Sequence, residues 1–233
     1  MLYQRQRQIP DRLNNSARRT YDLLRSTLVT AGGNIPLVEQ ELTNALSASR
    51  NTVRAVLQQL AREGRVTREP KNGTWATGSV ILPIDELTPA DARILECRPL
   101  GCPPLVSDRL RLPPEWKVLM IESLMLKDDL PLGLSVNYIA MGAEQSTDID
   151  IEKGDVIDIL ERQLGIRIGG SQTTVGAVAA DEQTAELVGV DVGAALVWLE
   201  DVIEDDNGQP RALSQLRLRG DRVSFSAIAR RSA

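Results

Sequence analysis

SRNTVRAVLQQLARE, Ser49 to Glu63, carries two patterns at once. Val53, Val56, Leu57 and Leu60 recur at the i, i+3, i+4, i+7 spacing of one helix face. Asn51, Arg54 and Gln58 fall on the opposite face. Ser49 is suited to cap the helix, because its hydroxyl can accept from a free N–H of the first turn. Arg50 then sits in that first turn, where the helix end favours a phosphate. One apolar face, one amide-and-guanidinium face and a polar tip suit a helix that lies in a major groove. Taken alone, the same helix also reads as an ordinary amphipathic surface helix, so the flanking segments have to decide.

Upstream, Tyr21, Leu24, Leu28 and Ala31 keep helical spacing over 17–31, and Gly32-Gly33 stops that helix. Val38, Leu42, Ala45 and Leu46 mark a short second helix. Ser47-Ala48 leaves room only for a tight turn before Ser49. Downstream, Gly64 ends the helix, and residues 65–69 and 74–77 read as short strands around the turn signal Pro70-Lys-Asn-Gly73. Helix, helix, tight turn, helix, hairpin is a helix-turn-helix with a β wing. Residues 1–10, with Arg5, Arg7 and Pro10, read as an arm.

Residues 1–77 hold 12 Lys+Arg against 6 Asp+Glu, a net +6, whereas residues 78–233 hold 15 against 26, a net −11. A polyanion partner is therefore expected for the first part only. There is no histidine, and only two cysteines, Cys97 and Cys102. Histidine triads, histidine metal ligands and four-thiolate zinc are excluded. Neither a metal nor a cofactor is expected, and no catalytic residue stands out. No apolar run reaches a membrane span, and the N-terminal residues lack the apolar core of a signal peptide, so a cytoplasmic protein with no membrane partner is expected.

Gly78 to Pro89 reads as a linker. Beyond it, strands are expected at 91–99, 116–127, 132–141, 171–179, 195–204 and 211–218. Helices are expected at 104–112, 155–164 and 181–188. Asp128-Asp129 and the stretch from Asp205 to Pro210 are hairpin turns. The expected architecture is an α+β chain: residues 1–77 a winged helix-turn-helix, 78–89 a linker, and 90–233 a mostly antiparallel sheet carrying helices.

Both halves resemble the GntR-type transcriptional regulators of the HutC branch. The first half does so through Glu39-Gln-Glu-Leu42, Ser49-Arg-Asn-Thr-Val-Arg54, Leu60-Ala-Arg-Glu-Gly64 and Asn72-Gly-Thr-Trp75. The second resembles the UTRA effector domain, of chorismate-lyase-like fold, through Ala180-Asp-Glu-Gln-Thr-Ala185, Leu187-Val-Gly-Val190, Asn207-Gly208 and Arg219-Gly-Asp-Arg222. The resemblance implies a homodimer on a palindromic operator in double-stranded DNA, acting as a repressor under a small-molecule effector. Its DNA contacts would be Gln40, Ser49, Arg50, Asn51, Thr52, Arg54 and Gly73. Two departures stand out there: Gln40 replaces an arginine, and Ser47 replaces a glycine. In the effector domain, the arginine pair that grips a phosphate in relatives falls at Ser123 and Met125. The carboxylates of relatives fall at Ser135 and Ala212. With Leu134 nearby, the implied effector lining is Ser123, Met125, Ser135, Tyr138 and Ser171, with Arg167 or Arg219 as an alternative source of charge. A neutral or mainly apolar effector is expected rather than a phosphosugar. The alternatives are a vestigial, ligand-free dimerisation domain and, further off, a lyase-like enzyme.

Overall fold

A computed structural model describes residues 16–31, 33–69, 72–83, 91–113, 115–141, 149 and 156–228. The arm at 1–10, Gly32, Pro70-Lys71 and the linker stretch 84–89 lie outside the described residues. The chain divides into two compact units, Met1–Ser79 and Val80–Ala233.

In the first unit, α1 (Ser16–Thr30), α2 (Glu39–Ala45) and α3 (Arg50–Arg62) precede the antiparallel pair β1 (Val66–Glu69) and β2 (Gly73–Ala76). The apolar stripe of α3 does what its spacing predicts. Val53, Val56, Leu57 and Leu60 are buried with Leu24 and Leu28 of α1, Val66 of β1 and Ala76 of β2. The wing is tied back to the chain before α2 by the Pro36–Trp75 bridge and by the Leu37 N–H donating to Thr74 O at 2.8 Å. Ser47, in the tight turn, has φ 48°, in the left-handed region. A side chain there costs about 1–2 kcal/mol that glycine would not.

The second unit is a six-stranded antiparallel sheet in the order β4-β5-β6-β9-β8-β7. Its strands are β4 (Ala92–Gly101), β5 (Lys117–Lys127), β6 (Leu130–Met141), β7 (Ile168–Ala179), β8 (Ala195–Asp205) and β9 (Pro210–Arg219). Asp128 and Asp129, with φ 49° and 61°, make the two-residue turn between β5 and β6, the backbone that a right-twisted hairpin favours. One sheet face carries α4 (Pro104–Leu110) and α6 (Glu182–Val188), the latter capped by Asp181, whose carboxylate accepts from Thr184 N–H at 2.8 Å.

The other face is covered differently from expectation. The segment expected as a helix over 155–164 is α-helical only over α5 (Val156–Asp158), then widens to π turns over Ile159–Gln163. It sends Ile159 and Leu160 against Leu119, Ile139, Ile203 and Ala212. Val80–Pro83, expected inside the linker, instead form β3, which runs parallel to β10 (Val223–Ser226), a strand the sequence reading left out. The reason is packing. Val80 and Leu82 with Val223 and Phe225 lay apolar side chains over Met125, Val197, Leu216 and Leu218. Such alternation over four residues is too short a signal by itself.

Candidate nucleic-acid interface and effector face

The N-terminus of α3 is built by Ser49, which has extended backbone and accepts from the Thr52 N–H at 3.1 Å. Its hydroxyl also lies 2.9 Å from the Thr52 hydroxyl. Ser49, Arg50, Asn51 and Arg54 are exposed and Thr52 is half-buried. The helix therefore presents these side chains outward while its apolar side holds it to α1. Two neighbours of α2 organise the arginines. Glu39 accepts from Arg54 Nε at 3.0 and 3.3 Å and lies 3.6 Å from Arg68 of β1. Gln40 accepts from Arg50 and donates to Asn44 at 3.3 Å. Gln40 thus occupies itself with Arg50, a role that its residue type alone did not suggest. The Glu39 bonds use the Nε edge of Arg54. In the wing, Gly73 takes φ 102°, and the Trp75 indole donates to Asn72 O at 3.1 Å, closing the turn.

In the effector sheet, directly opposed residues share a face. Ser123 pairs with Ser135, and Ser135 with Leu216. Two residues along, Ile121, Asn137, Ser214, Asp201 and Thr173 form one row across five strands. Met125 and Ser171 lie on this face too, two residues from Ser123 and Thr173 respectively. All belong to the face covered by the π segment at one end and by β3 and β10 at the other.

Tyr138 and Arg219 do not join them. Tyr138 stands three residues from Ser135 on one strand, so it points to the opposite face, where it packs in the α4 cluster with Val106, Leu110 and Leu213. Leu134 also faces away, onto Val188 of α6. Arg219 is locked on that same far side. It donates to both carboxylate oxygens of Asp221, at 3.0 and 2.7 Å, and to Val188 O at 3.1 Å. Burial pushes the Asp221 carboxyl up, but the Arg219 fork outweighs it and holds it below the usual range. Asp221 pairs with Arg219 rather than with its neighbour Arg222, and Arg219 is not available to swing toward Ser123.

The expected lining is thus reduced to Ser123, Met125, Ser135 and Ser171, and Asn137, Ser214, Asp201 and Thr173 share its face. Ser123, Asn137 and Ser214 are 0%, 4% and 4% exposed. Among the described residues, the hydroxyls of Ser123 and Ser214 have no hydrogen-bond partner. Asn137 makes one long bond, 3.5 Å, to Ser135. Asp201 accepts from Thr173, and burial pushes its carboxyl above the usual range, with Thr173 and Ser171 pulling it partly back. The mainly apolar lining expected from Met125 and Leu134 gives way to a row of hydroxyls, an amide and a carboxylate. The signal was present as polar residues on apolar strand faces, at Asn137 beside Ile139 in β6 and at Ser214 between Ala212 and Leu216 in β9. Among the described residues, no cluster of acidic or cysteine side chains is arranged to hold a metal, and no helix is long and apolar enough to cross a membrane.

Over 221 residues the chain is 24% identical to an HTH-type transcriptional regulator of Mycobacterium tuberculosis, covering 86% of this chain and 79% of that one. It is 21% identical over 221 residues to the Escherichia coli protein named "Probable fructoselysine utilization operon transcriptional repressor", covering 89% and 90% of the two chains. These relatives are regulators, not enzymes. Its fold matches that of PhnF from Mycobacterium smegmatis with a TM-score of 0.61 at 20% identity, covering 91% of this chain and 100% of that chain. A GntR-family transcriptional regulator from Enterococcus faecalis matches 60% of this chain and 100% of its own, with a TM-score of 0.53 at 26% identity. Residues 17–75 match the model of the gntR family of bacterial regulatory proteins. Residues 89–224, more than half of the chain, match the UTRA domain, and the protein therefore belongs to the GntR-family transcriptional regulators that join a DNA-binding helix-turn-helix to an effector-binding UTRA domain.

Proposed function

We propose that the protein is a cytoplasmic, homodimeric repressor that binds a palindromic operator and releases it under control of a small molecule. The carrying observation is the outward face of α3, capped by Ser49 and bearing Arg50, Asn51 and Arg54. In this reading α3 enters the major groove. Arg50 and Arg54 fork onto guanine O6/N7, Asn51 pairs with adenine, and Ser49 and Thr52 hold phosphates. Gln40 acts through Arg50, and Gly73 lets the wing backbone approach the minor groove. One short helix reads few bases, so two-fold pairing of half-sites supplies the specificity. Repression takes support from the relative named for that role. The effector site is the sheet face holding Ser123, Ser135, Asn137, Ser214, Asp201 and Thr173. Among the described residues this face offers no arginine at the row's centre, which argues against a phosphosugar, because serine and methionine cannot replace a bidentate guanidinium.

The test is binding to sites selected from a random DNA library, followed by a salt titration and by sedimentation of the free protein. Each phosphate neutralised contributes a slope of roughly −0.9 in log K against log[salt]. Arg54→Ala is expected to cost about 1–3 kcal/mol on the selected site and to relax one base position. Equal losses on selected and random DNA would reduce Arg54 to a phosphate contact. A monomer that binds no selected site at low salt would overturn the reading.

A further inference from the structure

The hydroxyl row refines the effector reading above and rests on it. Its outer end lies at β7 and β8, where Ser171 is exposed and Thr173 and Asp201 are half-buried. Its inner end, Ser214 and Asn137, is buried, as are Ser135 and Ser123 in the neighbouring row. Apolar clusters close it on both sides: Ile159, Leu160, Ile139 and Ile203 on one, and Met125, Leu216, Leu218 and Phe225 on the other.

The row holds one ionisable group and no cation. Asp201 touches only hydroxyls, and no basic group bears on its carboxyl. Arg162 of the π segment pairs with Asp158 at 2.8 Å and Arg167, just before β7, with Asp206 at 2.7 Å. Arg222, just before β10, has a buried Nε with no hydrogen-bond partner among the described residues and makes no ion pair with Asp201 there. The cations packed on the opposite face are separated from Asp201 by the sheet itself.

We propose that the effector is a small molecule carrying an amine or guanidinium cation, which sits on the Asp201 carboxylate, and a polar body of hydroxyl or amide groups, which reaches along the row to Ser214 and Asn137, toward Ser123 in the neighbouring row. A cation of this kind gives Asp201 the partner that the chain withholds, and such charge-assisted bonds are about twice as strong as neutral ones. The two partnerless serine hydroxyls can each donate and accept, so they match a polyol or an amide equally. An anionic ligand would meet a like charge in a partly desolvated place, with no guanidinium to offset it.

The experiment uses the full chain and a matched set of probes: glucosamine, N-acetylglucosamine and glucosamine-6-phosphate, with agmatine and spermidine as amines lacking hydroxyls. Thermal shift ranks them and calorimetry measures those that stabilise. The protein is compared with Asp201→Asn, with Ser214→Ala, and with Asp191→Asn as an exposed control, all checked for native circular dichroism. At least one amine is expected to bind more tightly than the neutral and phosphorylated probes. Its affinity should fall about 10-fold to 100-fold in Asp201→Asn, the range of a lost hydrogen bond to a charged group, and stay unchanged in Asp191→Asn. Binding of the neutral or phosphorylated probe that is lost in Ser214→Ala but kept in Asp201→Asn would leave the face as the effector site and overturn the cationic assignment. No binding by any probe, or binding indifferent to both substitutions, would overturn the cationic assignment and count against the face as the site.

Discussion

The two faces of the effector sheet use polar residues in opposite ways. On the side of α4 and α6, the named cations meet carboxylates. Arg217 lies 3.3 Å from Asp181, Arg98 pairs with Glu96, Arg109 with Glu200, and Arg219 forks onto Asp221. On the side of the π segment, β3 and β10, two buried hydroxyls have no partner and the one carboxylate of the row meets only hydroxyls. The first arrangement ties helices and loops to the sheet. The second costs stability, since an unsatisfied buried polar group forfeits about 1–3 kcal/mol. Buried polar groups left without partners are uncommon and call for an explanation beyond the fold.

The sharpest way to break this contrast is to remove its firmest pair. Arg219→Ala would leave a half-buried Asp221 carboxylate and the Val188 carbonyl without their donor. A loss of about 2–3 kcal/mol is expected in urea unfolding of the second unit. A loss under about 0.5 kcal/mol would place the fork among ordinary surface pairs. On the other face the sign should differ. Ser123→Ala and Ser214→Ala delete hydroxyls that have no partner, so stability is expected to stay level or rise by up to about 1 kcal/mol. A clear loss in both would mean that those hydroxyls serve the fold.

The smallest effect is in pH dependence, and it separates the faces by direction. Asp221 is held below its ordinary value, so its contribution is complete above about pH 3.9 and is lost as pH falls through the depressed value. Asp201 is raised, so folding favours its neutral form. Its penalty is absent below the ordinary carboxylate value and sets in as pH rises through the raised one. Asp201→Asn should therefore raise the melting temperature at neutral pH and give no gain in acid. The cost of Arg219→Ala should instead shrink in acid. A melting series against pH on the two variants measures both slopes, and slopes of equal sign would erase the distinction.

The first unit was legible almost residue by residue, because its signals are local. The α3 stripe repeats within twelve residues, and the Ser49 cap bonds three residues away. Most strands of the second unit were legible for the same reason. The site was less so. Tyr138 was grouped with Ser135 although strand alternation already sends residues three apart to opposite faces. Asp201 and Ser214 face each other across the β8–β9 hairpin, but Asn137 lies far earlier in the chain, and only the order β6-β9-β8 sets it beside Ser214. β3 and β10 are four residues each, and what holds them is a partner more than a hundred residues away.

What the amino-acid order settled by itself is whatever depends on a period, a cap or a turn. That covers the reading helix, the wing, the hairpins at Asp128-Asp129 and Asn207-Gly208, and a charge division that marks which half meets DNA. Those are interactions within a few residues, and their geometry travels with the chain. What only the tertiary structure decided is which polar side chains share a face and which of them lack a partner. Partnership across a sheet depends on strand order and on bulges such as those at Met125/Leu126 and Ile203/Glu204, and neither is written in any single stretch of sequence. Hence Arg219, expected as a spare charge for the effector, stands on the α6 side of the sheet, where it meets the Val188 carbonyl as well as its near neighbour Asp221. Asp201, one of two adjacent acids in β8, meets hydroxyls rather than a cation among the described residues.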